Sequence, residues 1–215
     1  MIKINELFGP TLQGEGPFAG HSAIFLRTTG CVKPYCSFCD TKYSWSEGIE
    51  YPLDLLVKNI VKLSETNGCK FIVITGGEPF IQKDIYELIE ILQKKGFKIQ
   101  IETSGKVDFK TLTCDVVCSP KQYNGKFSFK VKKWNEKITY YKFVLSNHNH
   151  CLSNVWDFIR KHKIDKDKVY FMPLTTYDDV QDLIIKQYVW KACCKYNIKY
   201  SARLHVDVFG KKRKI

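Results

Sequence analysis

Phe71-Ile72-Val73-Ile74-Thr75-Gly76-Gly77-Glu78-Pro79 carries the reading that decides the fold. Its first four residues are an unbroken β-branched and aromatic run, the mark of a strand buried on both faces of a parallel sheet. Gly76 to Pro79 breaks the run. A helical period follows, with Ile85, Leu88, Ile89 and Leu92 on one face and Gly96 at its end. Upstream, residues 53–63 place Leu55, Val57, Ile60 and Val61 at helical spacing, and Ser22–Arg27 reads as a strand. Residues 7–20, punctuated by glycine and proline, have no period and read as a loop.

Downstream the alternation repeats. Strands are predicted at 97–101, 115–118, 140–145, 168–172 and 199–208, and helices at 154–162 and 180–196. Residues 122–137 read as a long, irregular, basic insertion. Strands alternating with helices imply a parallel sheet with right-handed crossovers. About six such units are too few for a closed eight-fold barrel. The expected architecture is an α/β fold, an incomplete (β/α)6-type barrel with parallel strands, in one domain spanning 1–215. Five polar or glycine-rich words each follow a strand's C-terminal end: residues 31–41, 76–79, 102–105, 119–121 and 173–176. That rim is where parallel α/β folds bind ligands.

The first word, Cys31-Val32-Lys33-Pro34-Tyr35-Cys36-Ser37-Phe38-Cys39-Asp40-Thr41, brings three thiols into one loop. Thiolates converging on a point select zinc, copper(I) or iron–sulfur clusters. A structural zinc site normally closes with four protein ligands, and no fourth ligand follows at zinc-finger distance. Three thiolates on a four-iron cubane leave one iron open to a small molecule. Of the nine cysteines, Cys69, Cys114, Cys118, Cys151, Cys193 and Cys194 lie outside this loop and are read as packing residues. Cys114 and Cys118 would hold a second metal only on meeting other ligands. His148 and His150, either side of Asn149, read as a polar turn.

The composition, 44% hydrophobic and 14% aromatic, is that of an ordered globular chain. No apolar run reaches membrane-spanning length, and the N-terminus lacks a signal-peptide core, so a cytoplasmic location is expected. Disulfides are not expected there. The net charge of +12 raises a nucleic-acid partner, but the lysines are spread along the chain, as on a solvated surface. Nucleic acid is the minority reading. The dense spots are residues 126–137 and the tail Lys211-Lys212-Arg213-Lys214.

The cysteine triad after one strand and Gly-Gly-Glu-Pro after the next resemble the radical S-adenosylmethionine superfamily. Thr11–Gly20, Arg27, Cys39-Asp40-Thr41, Thr75–Pro79, Glu102–Gly105, Ser119–Lys121 and Tyr200–His205 narrow the resemblance to the 7-carboxy-7-deazaguanine synthases, over nearly the whole chain. The resemblance implies conversion of 6-carboxy-5,6,7,8-tetrahydropterin to 7-carboxy-7-deazaguanine with loss of ammonia, toward queuosine and related deazapurines. It implies a [4Fe-4S] cluster on Cys31, Cys36 and Cys39. S-adenosylmethionine would meet Phe38, Cys39, Asp40, Gly76, Gly77, Glu78, Glu102, Ser104, Ser119, Pro120, Lys121, Met172, Pro173, Leu174 and Thr175. The pterin would meet Leu12, Gln13, Gly14, Glu15, Arg27, Thr75 and His205, and Mg2+ would sit on Thr41. The residue types fit these roles. Glycines at 76 and 77 permit close backbone approach, and a planar guanidinium at Arg27 matches a carboxylate.

The resemblance further implies an electron donor such as flavodoxin, and a homodimer. Two departures stand out. Four residues, where the superfamily has three, separate Cys31 from Cys36, and residues 122–137 and the tail after Gly210 carry none of the words that make the resemblance, so their contacts are unassigned. Another radical enzyme, such as a glycyl-radical-enzyme activase, is the nearest alternative, and a basic zinc- or cluster-bearing nucleic-acid-binding protein the next.

Overall fold

The computed structural model describes residues 1–148 and 151–215. The chain runs through β1 (Ile2–Leu12), β2 (Ser22–Thr28), β3 (Ile49–Tyr51), α1 (Leu53–Ser64), β4 (Phe71–Gly76), α2 (Ile85–Lys94), β5 (Lys98–Thr103) and β6 (Asp115–Cys118). It continues through β7 (Lys121–Tyr123), β8 (Lys126–Ser128), α3 (Trp134–Lys137), β9 (Tyr140–Leu145), α4 (Cys151–Lys161), β10 (Val169–Pro173), α5 (Asp179–Tyr196), β11 (Lys199–Tyr200) and α6 (Leu204–Phe209). Asn149 and His150 of the expected polar turn lie outside the described residues.

Nine of these strands form one sheet among the described residues, in the order β11-β10-β9-β6-β5-β4-β2-β1-β3. From β2 to β11 every pairing is parallel, while β1 lies antiparallel to both β2 and β3. The sheet is therefore an incomplete barrel, as the alternation implied. Ile72, Val73 and Ile74 of β4 are all buried, as expected of an interior strand. α1 packs on β1 and β2, α2 on β5, α4 on β9, and α5 on β10 and β11.

Several expectations need correction. Residues 7–12, read as loop, are the second half of β1. Its pairing with β2 shifts register between Phe8 and Thr11, a bulge that absorbs the Gly9-Pro10 interruption. The loop reading holds from Gln13 onward, apart from a 3-10 turn at Gly16–Phe18. In α1, Leu55 faces solvent and Leu56 joins Val57 and Ile60 in the core. The irregular insertion contains the β7–β8 hairpin and the short α3. The expected last strand, 199–208, is a two-residue strand followed by α6. Only Tyr170↔Lys199 and Phe171↔Tyr200 pair with β10, and the chain then turns back over the rim. Cys194 is exposed, whereas Cys69, Cys118 and Cys193 are buried in the packing role expected of them.

Strand register places the polar words on one edge. Thr28 pairs with Gly76, Thr103 with Cys118, and Leu145 with Pro173, so the loops after β2, β4, β5, β6 and β10 leave the sheet at neighbouring points. The site follows from that alignment.

Candidate active site

One cavity of about 460 Å3 opens at this rim. Cys31, Cys36, Phe38, Cys39, Asp40 and Thr41 border it from the cysteine loop. Thr75, Gly76 and Gly77 follow from β4, Glu102 and Ser104 from β5, and Ser119 and Lys121 from β6–β7. Met172, Pro173, Leu174 and Thr175 close it at the end of β10. Leu12, Gln13, Gly14 and Glu15 of the N-terminal loop, Arg27 of β2 and His205 of α6 complete the wall. The sequence-expected residues are thus brought together, with two exceptions.

Glu78 and Pro120 do not border the cavity. Glu78 is fully buried and turned inward, accepting from Thr103 Oγ1 at 2.7 Å, Ser104 N at 3.0 Å and Ser104 Oγ at 2.5 Å. Burial pushes its carboxyl above the ordinary range, against these hydrogen bonds. Glu78 therefore ties the loop after β4 to the loop after β5. The glycines beside it serve chain packing as well. A Cβ on Gly77 would lie 1.7 Å from the Gly30 carbonyl oxygen, and Glu78 N donates to that oxygen at 2.8 Å. Only glycine lets this loop lie flat against the start of the cysteine loop.

The three rim cysteines are free and half-buried. Burial raises the Cys31 thiol. Among the described residues no three His, Cys, Asp or Glu side chains lie close enough to hold one ion. Three thiols at one cavity are one protein ligand short of the closed tetrahedron of a structural zinc. They suit a larger multi-iron group, whose irons each take one thiolate. Cys39 Sγ lies 3.6 Å from Thr41 Oγ1, and Cys36 Sγ 3.3 Å from the Tyr123 hydroxyl. Tyr123 also donates to the Pro34 carbonyl. Burial, then the hydrogen bond to Cys36, pushes the Tyr123 phenol up, which keeps its proton in place.

The opposite wall is a chain of charges. Lys142, 4% exposed in β9, donates to Glu15 Oε2 at 2.7 Å and Glu102 Oε2 at 2.9 Å. Arg203 donates through Nε to Glu15 Oε1 at 2.9 Å and through Nη2 to Asp40. Burial opposes charge on Glu15, Lys142 and Arg203, and their partners overcome it. Glu15 is held well below the ordinary carboxyl range, and Lys142 and Arg203 are both raised. His205 Nε2 stands 3.8 Å from Glu15 Oε1, and burial lowers the imidazole, so the ring is neutral near pH 7. Gly14 lets that ring approach: a Cβ there would lie 2.2 Å from His205 Nδ1. Arg27 donates through Nε to the buried Glu6 at 2.9 Å, which leaves the outer edge of its fork for another carboxylate.

Lys142, Arg203 and Lys106 border the cavity and were missed from sequence. Lys142 carried a signal, a charge amid the apolar run Tyr140–Leu145. Arg203 stood inside the word Tyr200–His205, of which only His205 was assigned. Lys106, directly after Glu102–Gly105, looked like one more surface lysine.

A family model described as the Radical SAM superfamily matches residues 25–185. With a parallel sheet and three thiols at its ligand-binding rim, this defines a radical S-adenosylmethionine enzyme, a class that works with S-adenosylmethionine and a [4Fe-4S] cluster. A 7-carboxy-7-deazaguanine synthase of Hyperthermus butylicus is 31% identical over 97% of this chain and 93% of its own length. That of Pyrobaculum aerophilum is 31% identical over 99% of this chain and 96% of its own. The crystal structure of QueE from Escherichia coli superposes with a TM-score of 0.73 at 26% identity, covering 95% of this chain and 94% of that one. The chain belongs to the family of 7-carboxy-7-deazaguanine synthases.

Proposed function

We infer that this chain converts 6-carboxy-5,6,7,8-tetrahydropterin to 7-carboxy-7-deazaguanine with loss of ammonia, in queuosine or deazapurine biosynthesis. One observation carries the reading to this structure: a single cavity is walled on one side by the cysteine rim and on the other by Leu12–Glu15, Arg27 and His205. Bound to a [4Fe-4S] cluster, S-adenosylmethionine supplies a 5′-deoxyadenosyl radical able to take hydrogen from carbon. Cys31, Cys36 and Cys39 would hold the cluster. The loops at Gly76–Gly77, Glu102–Ser104, Ser119–Lys121 and Met172–Thr175 would seat the cofactor beside it, with Phe38 and Asp40.

The remaining residues orient and desolvate. Arg27 would take the substrate carboxylate on the free edge of its fork. Glu15, fixed as a carboxylate by Lys142 and Arg203, keeps lone pairs able to accept from pterin N–H groups. Neutral His205 can donate or accept at the substrate edge. Thr41 would offer its hydroxyl to Mg2+. A lone protein oxygen is a sparse magnesium site, so substrate oxygens and water would complete the shell. The proposal takes in a flavodoxin-type electron donor, a homodimer and a cytoplasmic setting, all supported by family likeness. Among the described residues no helix is long and apolar enough to cross a membrane.

Anaerobic reconstitution followed by product analysis with the pterin, magnesium and a reductant tests the reading. Product is expected. Cleavage of S-adenosylmethionine with the pterin returned unchanged would instead favour a different radical enzyme.

A further inference from the structure

Lys106 is among the largest fully buried side chains, 1% exposed, and no acidic partner is paired with it among the described residues. Its Nζ donates to the Val32 carbonyl at 3.3 Å, the Pro34 carbonyl at 2.6 Å and the Tyr123 hydroxyl at 2.5 Å. Three acceptors match the three N–H groups of an ammonium. Two of them lie inside the segment between Cys31 and Cys36, the segment that is one residue longer than the superfamily pattern. The third is on the β7–β8 hairpin, within the basic stretch 122–137, which carries none of the words that make the family resemblance.

That hairpin is docked where Lys106 begins. Lys130 N donates to the Gly105 carbonyl at 2.8 Å, and a Cβ on Gly105 would lie 2.8 Å from the Phe129 ring. Tyr123 is thereby placed with its oxygen accepting from Lys106 and its hydroxyl 3.3 Å from Cys36 Sγ. Its one proton is directed at the Pro34 carbonyl here, and would turn to the sulfur once a cluster-bound thiolate is the stronger acceptor, with Lys106 still donating to Pro34. Lys106 Nζ also sits 4.4 Å from the centre of the Tyr123 ring.

We propose that Lys106 and Tyr123 are positioning residues that form a hydrogen-bond relay, Lys106 to Tyr123 to the Cys36 sulfur, which pins the lengthened cysteine loop and makes the cluster easier to reduce. This rests on the reading that Cys31, Cys36 and Cys39 hold a [4Fe-4S] cluster. Uptake of one electron from a one-electron reductant adds negative charge that spreads onto the thiolate sulfurs. A donor aimed at one of those sulfurs favours the added charge, and such outer hydrogen bonds tune cluster potentials. Lys106 strengthens the effect by polarising the phenol. The insertion and the longer loop are then two halves of one device.

The test uses the full chain, reconstituted anaerobically, with iron per chain and a midpoint potential from a dye-mediated titration followed by electron paramagnetic resonance. Tyr123→Phe keeps the ring and removes the hydroxyl. It is expected to keep its iron and to shift the midpoint negative by about tenfold in the reduction equilibrium, about 59 mV for one electron. Lys106→Met should shift it the same way and take up iron more slowly. The double variant should shift by less than the sum of the single shifts, because Lys106 acts in part through Tyr123 and in part by its own charge, which also reaches Cys31. Should Lys106→Met fail to fold, Tyr123→Phe alone decides. A Tyr123→Phe midpoint equal to that of the unaltered chain, at full iron content, overturns the relay. An unaltered chain that takes up no iron overturns the cluster reading itself, and the relay with it.

Discussion

Arg203 donates to Glu15 at 2.9 Å across 188 residues of sequence, and so locks the loop proposed to face the substrate to the segment that leads into α6. Lys142 holds the other Glu15 oxygen and reaches Glu102 at the end of β5. Two walls of the cavity are therefore joined through buried ion pairs. Such pairs are costly to break from one side, because the remaining charge is left unpaired.

Lys142→Met leaves Glu15 and Glu102 facing each other without their shared cation. A loss of about 3–5 kcal/mol in unfolding free energy is expected, the range for breaking a buried pair. Urea denaturation of the apo protein measures it. An unchanged midpoint would show that the network contributes nothing to the fold.

Stability should fall in two stages as pH drops. Burial lowers His205 and His162, so below about pH 6.5 the unfolded chain binds protons that the folded chain refuses. Stability falls there. Despite the opposing effect of burial, Glu15 and Glu6 are held below the ordinary carboxyl range by their cationic partners. Their contribution is present above about pH 4.3 and is lost as pH falls through their folded values. Glu78, raised by burial, works the other way: it adds stability as pH falls from its folded value to about 4.3, between the two stages. Urea midpoints at a series of pH values test this. His205→Gln should flatten the first stage partially, since His162 remains.

Arg27→Lys keeps a charge and loses the fork. A fall of about 10- to 100-fold in kcat/KM for the pterin is expected, the value of one charge-assisted hydrogen bond. Iron content should not change. Unaltered kinetics would remove Arg27 from the substrate carboxylate.

Thr41→Ala should keep the cluster and weaken the magnesium response, read as the magnesium concentration for half-maximal turnover. The hydroxyl lies 3.6 Å from Cys39 Sγ, so iron content must be measured alongside. Lost iron with an unaltered magnesium response would assign Thr41 to the cysteine loop instead.

Local signals made the sheet legible in the sequence. The run Phe71–Ile74 could only be a buried strand, and each polar word after a strand marked the same rim. Pairing partners are not local, which is why β1 was missed altogether: the bulge at Gly9-Pro10 looks like a loop until β2 lies beside it. His205 was assigned to the right cavity on the wrong element, because a strand of two residues gives no alternation to read. Glu78 stood in a recognisable word, yet whether its carboxylate faces ligand or interior depends on Thr103 and Ser104 arriving from β5. Lys106 and Lys142 were hidden among many lysines, since burial of a charge is set by its partners and not by its neighbours in sequence.

In the proposed reaction the protein leaves one iron open so that a nucleotide radical can be generated beside the pterin. The most direct measurement follows deuterium placed on the pterin carbon that bears the carboxylate, in the anaerobically reconstituted enzyme. Deuterium should appear in 5′-deoxyadenosine or S-adenosylmethionine while 7-carboxy-7-deazaguanine accumulates. Unlabelled nucleoside with no deazaguanine formed, from protein carrying its full cluster, would contradict it.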